Sequence, residues 1–125
     1  MIHGIGTDLA SIKRMAAALA RHGERFAWRI LAEAERPAYA AAPDKARFLA
    51  KRFAAKEAFG KALGTGVARP ATLHQVQVVH DPAGRPVFAY GSTLAAHMAQ
   101  AGLCAHLSIS DEEDLAQAFA VIERT

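Results

Sequence analysis

Hydrophobic and polar positions change period several times along the chain, and each change marks an element. Over residues 2–9 they alternate in twos, with Ile5, Thr7 and Leu9 on one side of an extended strand and Gly4, Gly6 and Asp8 on the other. Glycine inside a strand leaves room for a ligand or another backbone, so Asp8 is expected to have free space on its own face. From Ile12 the period turns helical, with Ile12, Met15, Ala16 and Leu19 on one stripe, and Gly23 ends that helix. Short helical turns are expected over 25–31 and 32–39.

The longest helix is predicted over 44–63, with Pro43 in its first turn and Gly64 and Gly66 as its stop. At about 100° per residue, Phe48, Leu49, Phe53, Phe59 and Leu63 form a bulky stripe, and Ala54, Ala55, Ala58 and Ala62 form an opposite face of small residues. Such a helix packs on two sides. Arg52 and Lys56 fall inside the bulky stripe, with Glu57 and Lys61 at its border, and charge in those places needs partners. Downstream, alternation over 75–80 and 86–90 with a Pro82/Gly84 turn predicts a hairpin. Ser92 can cap a short helix to Gln100, followed by Gly102. Two last strands, 105–110 and 115–123, are expected around an acidic turn over 111–114.

A chain of 125 residues suits one domain, here spanning 1–125, and is too short for two ordinary ones. At 52% hydrophobic and 22% charged residues it has a globular composition, which excludes a disordered chain. Cys104 is the only cysteine, so no intrachain disulfide can form. No apolar run approaches a membrane span and no signal peptide opens the chain, so a cytoplasmic protein that does not bind membranes is expected. The charge of +3 and pI near 9.4 suit an anionic ligand, an acidic protein or nucleic acid without choosing among them. Basic side chains concentrate between Lys13 and Lys61.

Asp8 and Glu57 are the leading acidic pair, although periodicity alone does not bring them together. Gly64-Thr65-Gly66, just after Lys56 and Lys61, could offer backbone N–H groups to a phosphate, but its order is the reverse of a P-loop. His106 alternates with Ser108 and Ser110 on a polar strand face that could hold an anion or face water. His3, His22, His74, His80 and His97 lack metal-ligand spacing and are read as surface residues. No nucleophile is signposted, which argues against covalent catalysis.

Two strings resemble the signature segments of the holo-acyl-carrier-protein synthase family: Gly4-Ile5-Gly6-Thr7-Asp8, and Arg52 through Gly66, which reads RFAAKEAFGKALGTG. The resemblance extends through Gly84-Arg85-Pro86 and His106-Leu107-Ser108-Ile109-Ser110 over nearly the whole chain. It implies an α/β (α+β) fold, a small antiparallel-rich sheet packed on one long helix, usually trimeric, with each site between neighbouring subunits. It also implies transfer of phosphopantetheine from coenzyme A to a serine of acyl carrier protein. By the same resemblance, Asp8 and Glu57 hold magnesium, and Glu57 or a metal-bound water takes the serine proton. Lys61 stabilises phosphate charge. On that resemblance, Lys45, Arg47, Arg52, Lys56 and His106 are candidates for the coenzyme phosphates, with Gly64, Thr65 and Gly66 lining the site. Arg14, Arg21, Arg25 and Arg29 stand where the family docks its acidic carrier. Gly60 replaces a common serine, and Asp111 a common histidine. Two rival readings are a basic nucleic-acid module stacking on Phe48, Phe53 and Phe59, and a coenzyme A-binding relative without transferase activity.

Overall fold

The strand that opens the chain, β1 (Ile2–Ser11), forms one edge of a three-stranded antiparallel sheet in the order β1, β5 (Leu115–Arg124), β4 (Leu103–Glu112). A helix of 19 residues, α4 (Lys45–Leu63), lies across the inner face of that sheet. The computed structural model describes residues 1–125, so the reason for this close fit can be read directly. A Cβ at Gly4 would stand 2.0 Å from the carbonyl oxygen of Ala62, and one at Gly6 2.1 Å from that of Ala58. The bare face of the strand and the alanine face of the helix therefore meet backbone to backbone. The glycines are read as leaving room for a ligand or another backbone, and beside Gly4 and Gly6 it is the backbone of α4 that fills it. Ala116, Ala118, Ala120 and Ile122 of β5, all fully buried, complete the contact.

The bulky side of α4 covers a second sheet, the hairpin of β2 (Val76–His80) and β3 (Pro86–Tyr90). Phe59 packs edge-on against Phe88, with ring centroids 4.9 Å apart, and also touches Tyr90. The helix is thus packed on two sides, as its wheel predicts. One cluster of 24 buried side chains joins both layers.

The remaining helices are α1 (Ile12–His22), α2 (Glu24–Ile30), α3 (Arg36–Ala41) and α5 (Ser92–Ala101), with a single 3-10 turn at Glu33–Glu35. Ser11 caps α1 by accepting the N–H of Arg14, and Gly23 closes it at φ 68°. Ile12 and Met15 are buried as expected, whereas Ala16 is exposed. Pro43 does not enter the first turn of α4. Asp44 takes the capping position, accepting the N–H of Arg47 at 3.0 Å, so the proline precedes the cap. The last hairpin also runs further than its alternation suggests. Asp111 and Glu112 pair with Ala116 and Leu115, which reduces the acidic turn to Glu113 and Asp114. No helix is long and apolar enough to cross a membrane.

Candidate active site

Asp8 lies on the inner face of β1, opposite Ala118, one alternation beyond Gly6. Because the glycines let α4 settle onto the strand, a side chain four residues before Lys61 on that helix comes near this carboxylate. That side chain is Glu57. Its carboxyl is pushed up from the usual range by burial and then by the negative charge of Asp8, with Lys61 opposing. The Lys61 ammonium stands 3.3 Å from Asp8 Oδ1 and donates to the Thr7 carbonyl at 3.0 Å. Two half-buried carboxylates set side by side, with one exposed lysine, make a place for a cation. No group of three or more His, Cys, Asp or Glu side chains could enclose a metal. Two carboxylates leave coordination positions open to water and phosphate oxygens, a donor set that fits magnesium.

Arg52 and Lys56 do not join this pair. At about 100° per residue they face the side of α4 away from Glu57 and Lys61. Lys56 is wholly buried, and its Nζ donates to the Ile30 carbonyl, Glu35 Oε1 and the Leu73 carbonyl at 2.7, 2.5 and 2.7 Å. All three ammonium protons are in use, so Lys56 is corrected from phosphate ligand to structural cation. Lys45 is corrected likewise. Its Nζ donates to the carbonyls of Tyr39, Ala40 and Ala42, closing the end of α3. The N–H groups of Gly64, Thr65 and Gly66 all converge on the Gly60 carbonyl at 3.0, 3.2 and 3.0 Å, which withdraws them as a phosphate cradle. Gly60 has its own reason to be glycine, since a Cβ there would lie 2.5 Å from the Gly66 carbonyl carbon. His106 stands on the outer face of β4, exposed, with Nε2 2.5 Å from Glu123 Oε2. Within one chain it does not reach Asp8.

On the far side of α4 a pocket of about 220 Å³ opens between that helix, β2 and β4. Phe48, Val78 and Ile109 give it apolar walls, and Arg47, Lys51 and Arg52 line it with cations beside the carboxylate of Asp44. Arg52 is anchored by Glu35 and the Val78 carbonyl, with its guanidinium 4.4 Å from the Phe48 ring centroid. Arg47 is tied to Asp44, Asp111 and the Glu113 carbonyl. Lys51 and His80 also line this pocket, and the sequence reading missed both. For Lys51 a signal existed, since it follows Arg47 by one helical turn and shares its face. Burial raises the Asp111 carboxyl, but hydrogen bonds from Arg47 and Lys51 outweigh it and hold the group below its ordinary value.

Arg14, Arg21, Arg25 and Arg29 are all exposed on α1 and α2. The last three line one shallow cleft with His22 and Phe26, and Arg14 shares the next with Arg21. None takes part in an ion pair of the chain. The outer face of the large sheet carries an exposed apolar patch on β1 and β5: Ile5, Leu9, Leu115 and Phe119 are 61%, 60%, 48% and 44% exposed.

Comparison with known proteins adds a third line to sequence and geometry. The profile of the 4′-phosphopantetheinyl transferase superfamily matches residues 4–121. Holo-[acyl-carrier-protein] synthase of Aromatoleum aromaticum is 64% identical over 124 residues, covering 99% of both chains. That of an Azoarcus species is 64% identical over 123 residues, 98% of each. Among solved structures, the synthase of Neisseria meningitidis superposes with a TM-score of 0.95 at 43% identity, covering 99% of this chain and all of its own. The Bacillus anthracis synthase, solved in complex with coenzyme A (3′,5′-ADP), gives 0.83 at 33% identity, covering 100% and 99%.

Proposed function

The chain belongs to the holo-[acyl-carrier-protein] synthase family of 4′-phosphopantetheinyl transferases, and from that premise we propose that Asp8, Glu57 and Lys61 form its reaction centre. The enzyme transfers the 4′-phosphopantetheine group of coenzyme A to a serine hydroxyl of apo acyl carrier protein, in fatty acid biosynthesis. Adenosine 3′,5′-bisphosphate leaves. The observation that carries the assignment of residues is the meeting of Asp8 and Glu57 across β1 and α4, beside the exposed ammonium of Lys61.

Asp8 and Glu57 are the side chains that would hold magnesium. When bound, the ion neutralises charge on the pyrophosphate and eases departure of the nucleotide. Lys61 directs its ammonium to the same place, where negative charge grows as the bond to phosphorus breaks. Glu57, or a water held beside it, is assigned to receive the serine proton. Across α4, the pocket of Phe48, Val78 and Ile109 with Lys51 and Arg52 is assigned to the nucleotide end of the coenzyme. Its apolar walls suit a flat base and its cations suit phosphate.

These two parts lie on opposite sides of one helix, which favours a site completed by a neighbouring copy. The apolar outer face of Ile5, Leu9, Leu115 and Phe119 is a fit contact for that copy. A homotrimer follows as the assembly we assign. His106, on the same outer face, would then be presented across the boundary. The free arginines Arg14, Arg21, Arg25 and Arg29 suit an acidic carrier, for which charge complementarity raises the association rate. A single free cysteine accords with the cytoplasm as its compartment.

Incubation with apo carrier, coenzyme A and magnesium should add one phosphopantetheine mass to the carrier, and Asp8→Ala should prevent it. Unaltered transfer by Asp8→Ala would remove that residue from the centre. Sedimentation should give three copies for the native chain and one for Phe119→Glu; a native monomer with full activity would defeat the composite site.

A further inference from the structure

Arg47 and Lys51, four residues apart on one face of α4, both reach the carboxylate of Asp111 on β4. Arg47 Nη1 is 2.8 Å from Oδ2 and Lys51 Nζ is 3.2 Å from Oδ1. A carboxylate bridging two cations that themselves line the pocket stands where a phosphate oxygen pair would stand. The two cations are not held alike. Arg47 also donates to Asp44 Oδ2 and to the Glu113 carbonyl, so its guanidinium stays in place without Asp111. Lys51 meets Asp111 as its only ion-pair partner.

We propose that Asp111 is a resident counter-ion which a phosphate of the nucleotide displaces from Lys51, so that Lys51 and Asp111 together set the preference for a coenzyme carrying the 3′-phosphate. This rests on the assignment of the pocket to the nucleotide end. Lys51 supplies two further N–H donors on a flexible stem and can turn to a ligand, whereas Arg47 is fixed by three acceptors. Asp111 restrains that turn in the empty pocket and repels the incoming charge. The pair thereby lowers affinity for small anions that lack a base for the Phe48, Val78 and Ile109 walls.

The charge balance predicts opposite signs for the two residues. A like charge a few ångströms from a phosphate in a site open to water changes affinity by about fivefold, so Asp111→Asn should bind adenosine 3′,5′-bisphosphate about fivefold more tightly. Lys51→Met loses a charge-assisted bond and should bind it about tenfold more weakly. Titration calorimetry with the whole protein tests both variants against adenosine 3′,5′-bisphosphate and adenosine 5′-monophosphate, with Asp111→Ser as a second substitution and melting curves to establish folding. The expected result is that both changes fall on the bisphosphate and much less on the monophosphate. In transfer assays the ratio of KM for dephospho-coenzyme A to KM for coenzyme A should rise in Asp111→Asn and fall in Lys51→Met. Weaker bisphosphate binding by folded Asp111→Asn and Asp111→Ser would overturn the counter-ion. Equal effects on the two nucleotides would overturn the selection of the 3′-phosphate. Bisphosphate binding that a pocket-filling Ile109→Trp leaves unchanged would remove the pocket assignment itself, and this inference with it.

Discussion

Glu35 is a buried carboxylate whose replacement tests how the pocket side of α4 is built. It is 1% exposed and serves four groups: Lys56 Nζ at 2.5 Å, Arg52 Nη1 at 2.9 Å, and the N–H groups of Ala32 and Val78 at 2.9 and 3.1 Å. Glu35→Gln keeps the shape, removes the charge and leaves two buried cations side by side. Breaking a buried pair in this way costs about 3–5 kcal/mol. Against a total stability of about 5–15 kcal/mol, that is a large share. For a chain of this size it corresponds to a fall in Tm of roughly 10–20 °C. Circular dichroism melts and urea titrations at pH 7 would measure it. A second readout is pH. Burial lowers the Lys56 pKa, and the charge of Glu35 partly restores it. With a folded value below the unfolded one, the unfolded chain binds more protons between the two, and stability rises with pH across that window. Glu35→Gln lowers the folded value further and widens the window downward, so the variant should regain part of its loss as pH rises through the interval between its own folded Lys56 value and the native one. Replacing the trio together, Glu35→Leu with Arg52→Met and Lys56→Met, should cost less than Glu35→Gln alone, because no charge is then left buried and unpaired. A Glu35→Gln protein within about 1 kcal/mol of wild type at pH 7 would refute the reasoning.

Three further outcomes are expected. Glu57→Gln should lower transfer at least about 100-fold by mass spectrometry of the carrier, and magnesium should raise the Tm of the native chain but not of the variant. Because the folded Glu57 pKa is raised, its ionised form destabilises the metal-free protein at pH 7; the variant should melt higher there, and the gain should vanish as pH falls to the unfolded value near 4.5. Gly6→Ala should destabilise by about 3 kcal/mol or more in urea unfolding, since its Cβ would press on the Ala58 carbonyl oxygen at 2.1 Å; a loss under ~1 kcal/mol would mean that the helix and strand can part freely. Arg25→Glu with Arg29→Glu should raise KM for the carrier at least about tenfold at low salt, leave KM for coenzyme A in place, and lose most of its effect in high salt.

Much of this architecture was legible because it is local. Alternation over β1, β4 and β5, the hairpin of β2 and β3, and the two-faced wheel of α4 each follow from side chains within a few residues of one another. Even the alanine face and the glycine face could be read separately. Their contact could not, because it joins positions 52 to 58 residues apart, from the backbone fit of Gly4 with Ala62 and Gly6 with Ala58 to the ion pair of Asp8 with Lys61. Glu35 was beyond reach for the same reason. It sits in a short 3-10 turn, and nothing periodic marks it as the partner of cations 17 and 21 residues later. Lys45 and Lys56 misled because a lysine that closes carbonyls and a lysine that awaits phosphate are the same letter. Only the acceptors distinguish them.

The segment from Arg52 to Lys61 shows where sequence adjacency and spatial adjacency part. Read as a string, its four charges form one motif and invite one ligand. Wound at about 100° per residue, the same string turns Arg52 and Lys56 to one side of α4 and Glu57 and Lys61 to the other. The buried side is bound by Glu35, which fixes how Arg52 meets the pocket; the open side is bound by β1, which brings Asp8 to Glu57. On the assignment proposed above, a helix used in this way is a partition between a nucleotide pocket and a metal pair. A coenzyme long enough to need both must therefore span two copies or pass around one, and the exposed Phe119 face makes the first arrangement the one that also covers apolar surface. On that assignment, the Asp8–Glu57 pair and the apolar sheet face would be two parts of the same requirement, that chains associate before any one of them holds a complete site.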